Sequence, residues 1–213
     1  CVDIDKGKIE RLRQGFISIY EPGLDEIVKR NIGEGRLEFT TDLEGAVKRS
    51  EIIFICVGTP SLPTGETDFS YVDAAAKEIA QAIEGYKVIV VKSTVPVGGA
   101  ERVKKIIQEN SRPGVEFDVV SNPEFLSEGT AIRDFLYPGR TVIGTDSKRA
   151  VEIMGRLYSP IKAPLIVTGH REAELIKYGS NAFLTTSISF INGIAIVCEE
   201  IGADVTAVSQ GLR

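Results

Sequence analysis

The run Ile-Ile-Phe-Ile-Cys-Val at residues 52–57 decides the fold, because it joins five β-branched or aromatic residues to one cysteine without a polar residue between them. A strand of this composition is buried on both faces, as strands in a parallel sheet are. Strand-like runs alternate with helical patterns on both sides of it. This order predicts an α/β fold, a doubly wound parallel sheet with right-handed crossovers.

The alternation extends along most of the chain. The other predicted strands are short apolar runs at residues 2–4, 37–39, 87–91, 117–120, 141–144 and 165–168. The predicted helices, which show apolar residues at helical spacing, cover residues 6–14, 24–32, 43–48, 71–83, 98–110 and 149–158. A loop rich in Pro, Gly, Ser and Thr at residues 58–69 is long enough to be a functional surface loop.

Residues 172–201 depart from this pattern, since they form one long run without proline and with apolar residues at helical spacing. At 1.5 Å per residue, the run predicts a helix about 45 Å long. Helices of that length usually bridge domains or build dimer interfaces, and we expect a homodimer through this one. Gly202 ends the helix, and Asp204 caps the short helix that follows.

We predict two domains, at residues 1–170 and 171–213. The chain begins at Cys1 with what looks like the last part of a strand, and it ends at Arg213 just after a short helical pattern. We therefore interpret it as an internal piece of a longer protein, with the first strand of the first domain missing and the second domain truncated.

Composition excludes several classes of function. The net charge of −5 and the lack of a Lys/Arg cluster argue against a nucleic-acid partner. Cys1, Cys56 and Cys198 are scattered and odd in number, and two of them lie in apolar patterns, which predicts buried free thiols rather than a disulfide or a metal site. We see no signal peptide and no window with the ~18 apolar residues of a membrane span. These observations predict a cytoplasmic protein without a metal and without a membrane partner.

Residues 121–129, Ser-Asn-Pro-Glu-Phe-Leu-Ser-Glu-Gly, follow a predicted strand, and open α/β sheets bind ligands at the carboxyl ends of their strands. Glu124 and Glu128 flank the apolar pair Phe125 and Leu126. If the turn opens a helix, both acids share one face, and an apolar wall raises the pKa of a carboxyl group towards the range useful for proton transfer. The alternative is an acidic helix start that complements the macrodipole.

Other polar residues also stand at predicted strand ends. In dinucleotide-binding folds, an acid in the position of Asp3 binds the adenosine ribose and selects NAD over NADP; the alternative is a solvated Asp, or Asp5 in its place. Lys8 by itself reads as a surface lysine. Thr59 and Thr94 either line a cofactor cleft or serve only the turns before their prolines. Because parallel strand ends open on one edge, we expect both threonines and the two glutamates to converge.

The long predicted helix carries a cation and an amide on one face, Lys177 and Asn181, at i,i+4 spacing. Together they suit a developing oxyanion or an anionic substrate, and an exposed polar stripe is the alternative. His170, the one histidine, precedes this helix and is expected to serve a loop or a cap. Cys198 lies on an apolar face, the wrong setting for a low-pKa nucleophile.

Taken together, these segments resemble the UDP-glucose/GDP-mannose dehydrogenase family, and they follow the family's order over essentially the whole chain. They are Val2-Asp3-Ile4-Asp5 with Lys8, Val57-Gly58-Thr59-Pro60, Lys92-Ser93-Thr94-Val95-Pro96-Val97-Gly98, Asn122-Pro123-Glu124-Phe125-Leu126-Ser127-Glu128-Gly129, Tyr137-Pro138-Gly139-Arg140 and residues 174–181.

The resemblance implies a Rossmann-like NAD domain and the oxidation of a nucleotide sugar's primary alcohol to a carboxylate with two NAD. In the family, a cysteine holds the aldehyde-level carbon as a thiohemiacetal and then as a thioester, which water hydrolyses. UDP-glucose is the favoured substrate, which places the enzyme in polysaccharide biosynthesis. GDP-mannose and UDP-N-acetyl sugars are alternatives.

The resemblance also assigns the cofactor contacts and the proton chemistry. It makes Asp3 and Lys8 contacts to the adenosine ribose, and Thr59 and Thr94 residues of the NAD cleft. Glu124 resembles the acid that handles protons with a water near Thr94.

The substrate contacts follow from the same resemblance. Glu128 is expected between the nicotinamide and the substrate, and Phe125 and Leu126 contact the sugar nucleotide alongside Glu124. Lys177 resembles the cation that stabilises the oxyanion, with Asn181 beside it.

The chain departs from the family's pattern in three ways. It has no glycine-rich first turn, no cysteine at the nucleophile's place, which is expected beyond Arg213, and Ser127 where many relatives carry Arg. We therefore expect no turnover from the chain as given. Two rival functions stay open: a 3-hydroxyacid dehydrogenase, which would use Lys177 and Asn181 but not Glu124, and a non-catalytic NAD-binding or dimerisation module.

Overall fold

The structure is a computed structural model that describes residues 1–212, and its chain divides into two compact units, Cys1–Glu174 and Leu175–Arg213. The elements of the described residues, in chain order, are α1 (Lys6–Arg13), α2 (Leu24–Gly33), α3 (Leu43–Arg49), β1 (Ile52–Ile55), α4 (Ser70–Ala82), β2 (Lys87–Val91), α5 (Gly99–Asn110), β3 (Phe117–Ser121), α6 (Ala131–Leu136), β4 (Thr141–Gly144), α7 (Lys148–Tyr158), β5 (Leu165–Thr168), α8 (His170–Ile201) and α9 (Val205–Gly211).

The five strands form one sheet in the order β1-β2-β3-β4-β5, and helices cover both of its faces. Alternate residues of β2 show why. Ile89 and Val91 belong to the cluster formed with α3, α4 and α5, whereas Val88 and Val90 belong to the cluster formed with α7. All five residues of β2 are buried. The predicted Rossmann-like α/β fold is confirmed.

One pairing in the sheet differs from the prediction of parallel strands. The β1–β2, β2–β3 and β4–β5 pairs are parallel, but β3 and β4 run antiparallel, with Ser121 opposite Gly144. A parallel pair needs a crossover that carries the chain back over the sheet, usually on a full helix. The β3–β4 connection contains only α6, six residues long and without a buried residue, so β4 returns in the opposite direction.

The predicted strands at residues 2–4 and 37–39 are wrong, because the pairing between these parts of the chain is no more than an isolated parallel bridge, between Val2 and Thr40. Polar side chains turn the chain away on both sides of the bridge. The Asp3 carboxylate accepts the backbone N–H of Asp5, and the Thr40 hydroxyl accepts that of Asp42. Such local bonds compete with strand pairing.

Several helices begin at a side-chain cap, which satisfies backbone N–H groups that have no intrahelical partner. The Asp42 carboxylate accepts the N–H of Gly45 at the start of α3, and the Ser147 hydroxyl accepts that of Ala150 in α7. The predicted cap Asp204 accepts the N–H of Thr206 in α9. Helix α5 differs, since its N-cap residue is Gly98, in the left-handed conformation at φ 98°, with no side-chain cap of its own.

Helix α8 is long and apolar enough to cross a membrane by length and composition, with a mean hydropathy of 1.5 over 18 residues. The expectation that no such window exists is therefore wrong, because Ser, Thr and Gly interrupt the apolar residues without offsetting them. Buried helices of soluble proteins meet the same criteria. The large apolar side chains exposed on α8 include Phe183, Leu184, Ile188, Phe190, Ile196 and Val197.

Candidate active site

Asn122 fixes the chain where it leaves β3. Its side chain is fully buried. Its backbone N–H donates to the Val91 carbonyl at 2.9 Å, and its amide donates to the Val142 carbonyl at 2.8 Å. Its Oδ1 accepts the Tyr158 hydroxyl at 2.5 Å and the Lys92 ammonium at 3.3 Å. The start of the loop at residues 122–130 is therefore anchored to β2, β4 and α7.

Burial raises the pKa of Tyr158 to about 12. This phenol therefore stays protonated at neutral pH and can act as a permanent donor to Asn122. The bond from Tyr158 to Asn122 thus does not depend on pH in the physiological range.

Glu124 and Glu128 do not share a helix face, so this part of the sequence hypothesis is wrong. The residues between β3 and the turn before α6 form no regular element, and α6 begins only at Ala131. The reason is local: the Glu124 carboxylate accepts the N–H of Leu126 at 2.6 Å. A side chain that satisfies the backbone two residues ahead stabilises a turn in place of a helix.

A distant acid holds the other end of this loop. The Glu21 carboxylate accepts the N–H of Gly129 at 2.8 Å and that of Ala131 at 3.2 Å. Gly129 has a φ of +85°, which glycine adopts without strain. The backbone beside Glu128 is therefore tied to a residue 108 positions earlier in the chain.

Phe125, one of the predicted wall residues, is stacked against a cation. The Arg140 guanidinium lies 4.3 Å from the centre of the Phe125 ring, within the range of a cation–π contact. Both residues line a cavity that also includes Glu124, Leu126 and Lys92. Phe125 and Leu126 are thus placed beside Glu124 in one cavity wall.

The structure brings the two predicted threonines together at the ends of β1 and β2. The Thr59 hydroxyl donates to the Thr94 carbonyl at 2.9 Å. The Ser93 hydroxyl donates to the Val57 carbonyl at 2.7 Å, which joins the same two turns a second time. Since β1, β2 and β3 are parallel, these turns and the loop of Glu124 lie at the same edge of the sheet.

Asp3 and Lys8, the predicted ribose contacts, touch each other. The Lys8 ammonium donates to the Asp3 carboxylate, and this bond holds the pKa of Asp3 below its usual value. Asp3 is therefore ionised at neutral pH. Asp5, the alternative ribose ligand, instead accepts the N–H of Lys8 and caps α1.

In the second unit, Lys177 and Asn181 lie one helical turn apart on α8, as the spacing predicted. The Thr185 hydroxyl donates to the backbone carbonyl of Asn181 at 3.0 Å, and the Asn181 side-chain amide takes no part in this bond. The helix between them is continuous, so the cation and the amide share a face.

The cysteines are all free thiols. Cys198 is buried, as expected, but Cys56 is exposed, because β1 ends one residue before it. Desolvation nevertheless raises the pKa of Cys56, which disfavours a reactive thiolate. Among residues 1–212, no three His, Cys, Asp or Glu side chains are grouped to hold a metal ion.

Sequence reasoning missed a buried acid at the start of α8. Glu174 is 3% exposed, and its carboxylate accepts the N–H groups of Gly98 and Ala100. The Ser121 hydroxyl donates to Oε1 of Glu174 at 3.4 Å, and the same hydroxyl oxygen lies 3.2 Å from Nδ1 of His170. Burial lowers the pKa of His170. The sequence carries no signal for this role, because Glu174 stands among other charged residues, Arg171, Glu172 and Lys177.

Comparison with known proteins identifies the family. The family model described as "UDP-glucose/GDP-mannose dehydrogenase family, NAD binding domain" matches residues 1–162, and the model of the family's central domain matches residues 171–213. The chain belongs to the UDP-glucose/GDP-mannose dehydrogenase family. Residues 1–162 of this family member are its NAD-binding domain, so the cofactor is NAD.

The curated relatives are longer than this family member. The UDP-glucose 6-dehydrogenase TuaD of Bacillus subtilis (strain 168) is 53% identical over 212 residues, a match that covers 100% of this chain and 46% of the relative. The chain spans about half the length of the curated relatives it matches.

Two solved structures of the family have nearly the same backbone. A UDP-glucose dehydrogenase from Pyrobaculum islandicum has a TM-score of 0.94 and 42% identity, over 99% of this chain and 50% of its own. A GDP-mannose dehydrogenase from Pseudomonas aeruginosa has a TM-score of 0.93 and 37% identity, over 98% of this chain and 49% of its own. The backbone therefore does not discriminate between the two nucleotide sugars.

Proposed function

We propose that the protein is an NAD-dependent nucleotide-sugar 6-dehydrogenase that oxidises the C6 alcohol of UDP-glucose to the carboxylate, giving UDP-glucuronate. The observation that carries this proposal is the joining of Thr59 and Thr94 at the sheet edge that also presents the Glu124 loop. The 53% identity to a UDP-glucose 6-dehydrogenase supports UDP-glucose over GDP-mannose. In this proposal residues 1–170 form the NAD domain, and residues 171–213 open the central domain.

The residues at the sheet edge suit NAD. The Asp3 carboxylate is ionised and hydrogen-bonded to Lys8, and it can accept hydrogen bonds from the two adenosine ribose hydroxyls. Thr59 and Thr94 are half-buried and line the ends of β1 and β2, where they would contact the rest of the cofactor. When bound, NAD accepts a hydride in each of the two oxidation steps.

We assign proton handling to Glu124. A carboxylate can take the proton of the sugar alcohol through a water near Thr94, and the same group can activate the water that hydrolyses the thioester. Glu128 would lie between nicotinamide and substrate, and Phe125 and Leu126 would contact the sugar nucleotide. The cavity lined by Glu124, Phe125 and Leu126 supports the grouping of these three residues.

Lys177 is assigned to the oxyanion that develops at C6, and Asn181 to a hydrogen bond at the same centre. A buried ammonium and an amide one helical turn apart are suitable donors for developing negative charge. The nucleophilic cysteine is not Cys1, Cys56 or Cys198 in this proposal, and we expect it beyond Arg213.

A test of the proposal is NADH production by the full-length protein with UDP-glucose, GDP-mannose and UDP-N-acetyl sugars in parallel. We expect UDP-glucose to give the highest kcat/KM, with two NADH formed for each UDP-glucuronate. A preference for GDP-mannose or an N-acetylated sugar would reassign the substrate. One NADH per sugar would contradict oxidation to the acid. A 3-hydroxyacid as the preferred substrate would favour the 3-hydroxyacid dehydrogenase. A lack of NAD-linked activity with any substrate would favour the non-catalytic module.

We expect Asp3→Asn to raise the KM for NAD about tenfold and to weaken the preference for NAD over NADP, because it removes a charged acceptor worth about 1.5–3 kcal/mol. Asp5→Asn is the matched control, since asparagine caps a helix as well as aspartate and should leave both KM values unchanged. Initial rates with NAD and NADP check this. Equal KM values in Asp3→Asn and wild type would remove Asp3 from the ribose site.

We propose that the apolar face of α8 is covered by a second copy of the chain, because Phe183, Phe190 and Val197, which share a helix face, are each more than half exposed and exposed apolar surface of this extent marks an interface. Sedimentation of the intact protein should give a homodimer. A monomer would contradict this, and recovery in the membrane fraction would assign the face to lipid.

The free thiols support a cytoplasmic location, and UDP-glucuronate would serve polysaccharide biosynthesis.

A further inference from the structure

Glu174 makes an unusual set of contacts for a buried acid. It is 3% exposed. Its Oε2 accepts the N–H of Gly98 at 2.7 Å, and its Oε1 accepts the N–H of Ala100 at 2.8 Å. A buried carboxylate is costly unless its oxygens are hydrogen-bonded, and here backbone donors 76 and 74 positions away satisfy the two oxygens.

These contacts replace a cap that α5 lacks. Gly98 precedes the helix and offers no side chain to cap it. The Gly99 N–H donates to the Pro96 carbonyl at 2.9 Å, whereas the N–H groups on either side of it, those of Gly98 and Ala100, donate to Glu174. Glu174 provides the missing acceptor from the beginning of α8. A carboxylate at this position also complements the positive end of the α5 dipole. The charge and the hydrogen bonds both favour one fixed position for the first turn of α5.

The position of that turn determines where Thr94 lies. A Cβ on Gly99 would lie 2.3 Å from Cγ2 of Val95, so the backbone at Gly99 is packed directly against Val95. Thr94 is the next residue towards β2, and its carbonyl accepts the Thr59 hydroxyl. A shift at the start of α5 would therefore move Val95, Thr94 and the bond to Thr59 together.

We propose that Glu174 is a positioning residue of the NAD site, which fixes the turn of Thr94 by holding the first turn of α5. Glu174 acts through the backbone of Gly98 and Ala100 and has no contact with the cofactor. The inference rests on the proposed function, since it needs Thr94 to lie beside NAD.

Glu174→Gln in the full-length enzyme tests this role. The substitution keeps the shape of the side chain but turns one acceptor into a donor, which leaves the N–H of either Gly98 or Ala100 facing an NH2 group. We expect the KM for NAD to rise about tenfold, while the KM for the nucleotide sugar stays within about twofold. Both are measured well below the unfolding temperature of the variant.

Glu101→Gln is the matched control. Glu101 lies in the first turn of the same helix and also links it to the start of α8, through Arg171 at 2.8 Å, but both partners are exposed. An exposed ion pair contributes about 0–1 kcal/mol. Glu101→Gln should therefore leave the KM for NAD unchanged.

The possible outcomes separate positioning from a structural role. A lowered unfolding temperature with an unchanged KM for NAD in Glu174→Gln would overturn the proposal. If Glu174→Gln does not fold, Glu174→Asp replaces it; this variant keeps the charge but is one methylene short, and a selective rise in the KM for NAD supports the proposal. Failure of both variants to fold would assign Glu174 to folding and overturn the positioning role.

Failure of the proposed function is a different result. A wild-type enzyme that neither binds NAD in calorimetry nor reduces it would refute the proposed function itself. A working wild-type enzyme with an equally good Glu174→Gln variant would refute only the role of Glu174.

Discussion

Glu124→Gln should lower the kcat of the full-length enzyme on UDP-glucose by about 10²–10⁴-fold, the range in which general acid–base groups contribute. Glutamine keeps the size of the side chain and can still accept the N–H of Leu126, so the loop is expected to keep its course. What is lost is the ability to take up and release a proton. Steady-state kinetics at saturating NAD and sugar nucleotide measure this.

The control for Glu124 stands at the opposite end of the same strand. Glu116 precedes β3, is exposed and lies 3.7 Å from Arg149. Glu116→Gln should therefore leave kcat unchanged. If Glu124→Gln is as active as Glu116→Gln, proton transfer by Glu124 is refuted, and the 3-hydroxyacid dehydrogenase, which needs no such acid, becomes the better assignment.

We expect Lys177→Met to lower kcat by about 10²–10³-fold, as the removal of one oxyanion donor does. Methionine is unbranched like lysine and suits a helix, so α8 should persist. Because the oxyanion forms only during the reaction, the loss should fall on kcat more than on the KM of the sugar nucleotide.

Arg171→Met controls for the loss of a cation from the same helix. Its guanidinium pairs with Glu101 at the surface, and its removal should leave kcat within about twofold. If Lys177→Met raises the KM for the sugar nucleotide and leaves kcat unchanged, Lys177 binds substrate charge and does not stabilise the oxyanion.

The strands at residues 87–91, 141–144 and 165–168 could be predicted to the residue, because each is a short apolar run between polar or glycine-containing turns. Helices do lie on the two sides of the sheet, but the predicted burial of residues 52–57 on both faces is wrong, since Phe54 and Cys56 are exposed and only Ile55 is buried. The direction of β4 could not be predicted, since it depends on how much of the connection becomes helix.

Of the candidate site, only the residues at the ends of the strands could be placed from the sequence. The meeting of Thr59 and Thr94 followed from parallel strands opening on one edge. The course of residues 122–130 did not follow, because a turn made by the Glu124 carboxylate competes with a helix of the same composition. The roles of Glu21 and Glu174 were invisible, since a bond to a backbone N–H leaves no pattern in the sequence.

The contacts of Glu21 and Glu174 also bear on the order of folding. Glu21 reaches Gly129 across 108 positions, and Glu174 reaches Ala100 across 74. Contacts between residues so distant in the chain form only after the entropy of closing long loops has been overcome. The sheet can therefore pair before the loops of Glu128 and Thr94 take their final course. A folding intermediate that already contains the sheet would not yet bind NAD, so the return of NAD binding would lag behind the return of secondary structure during refolding.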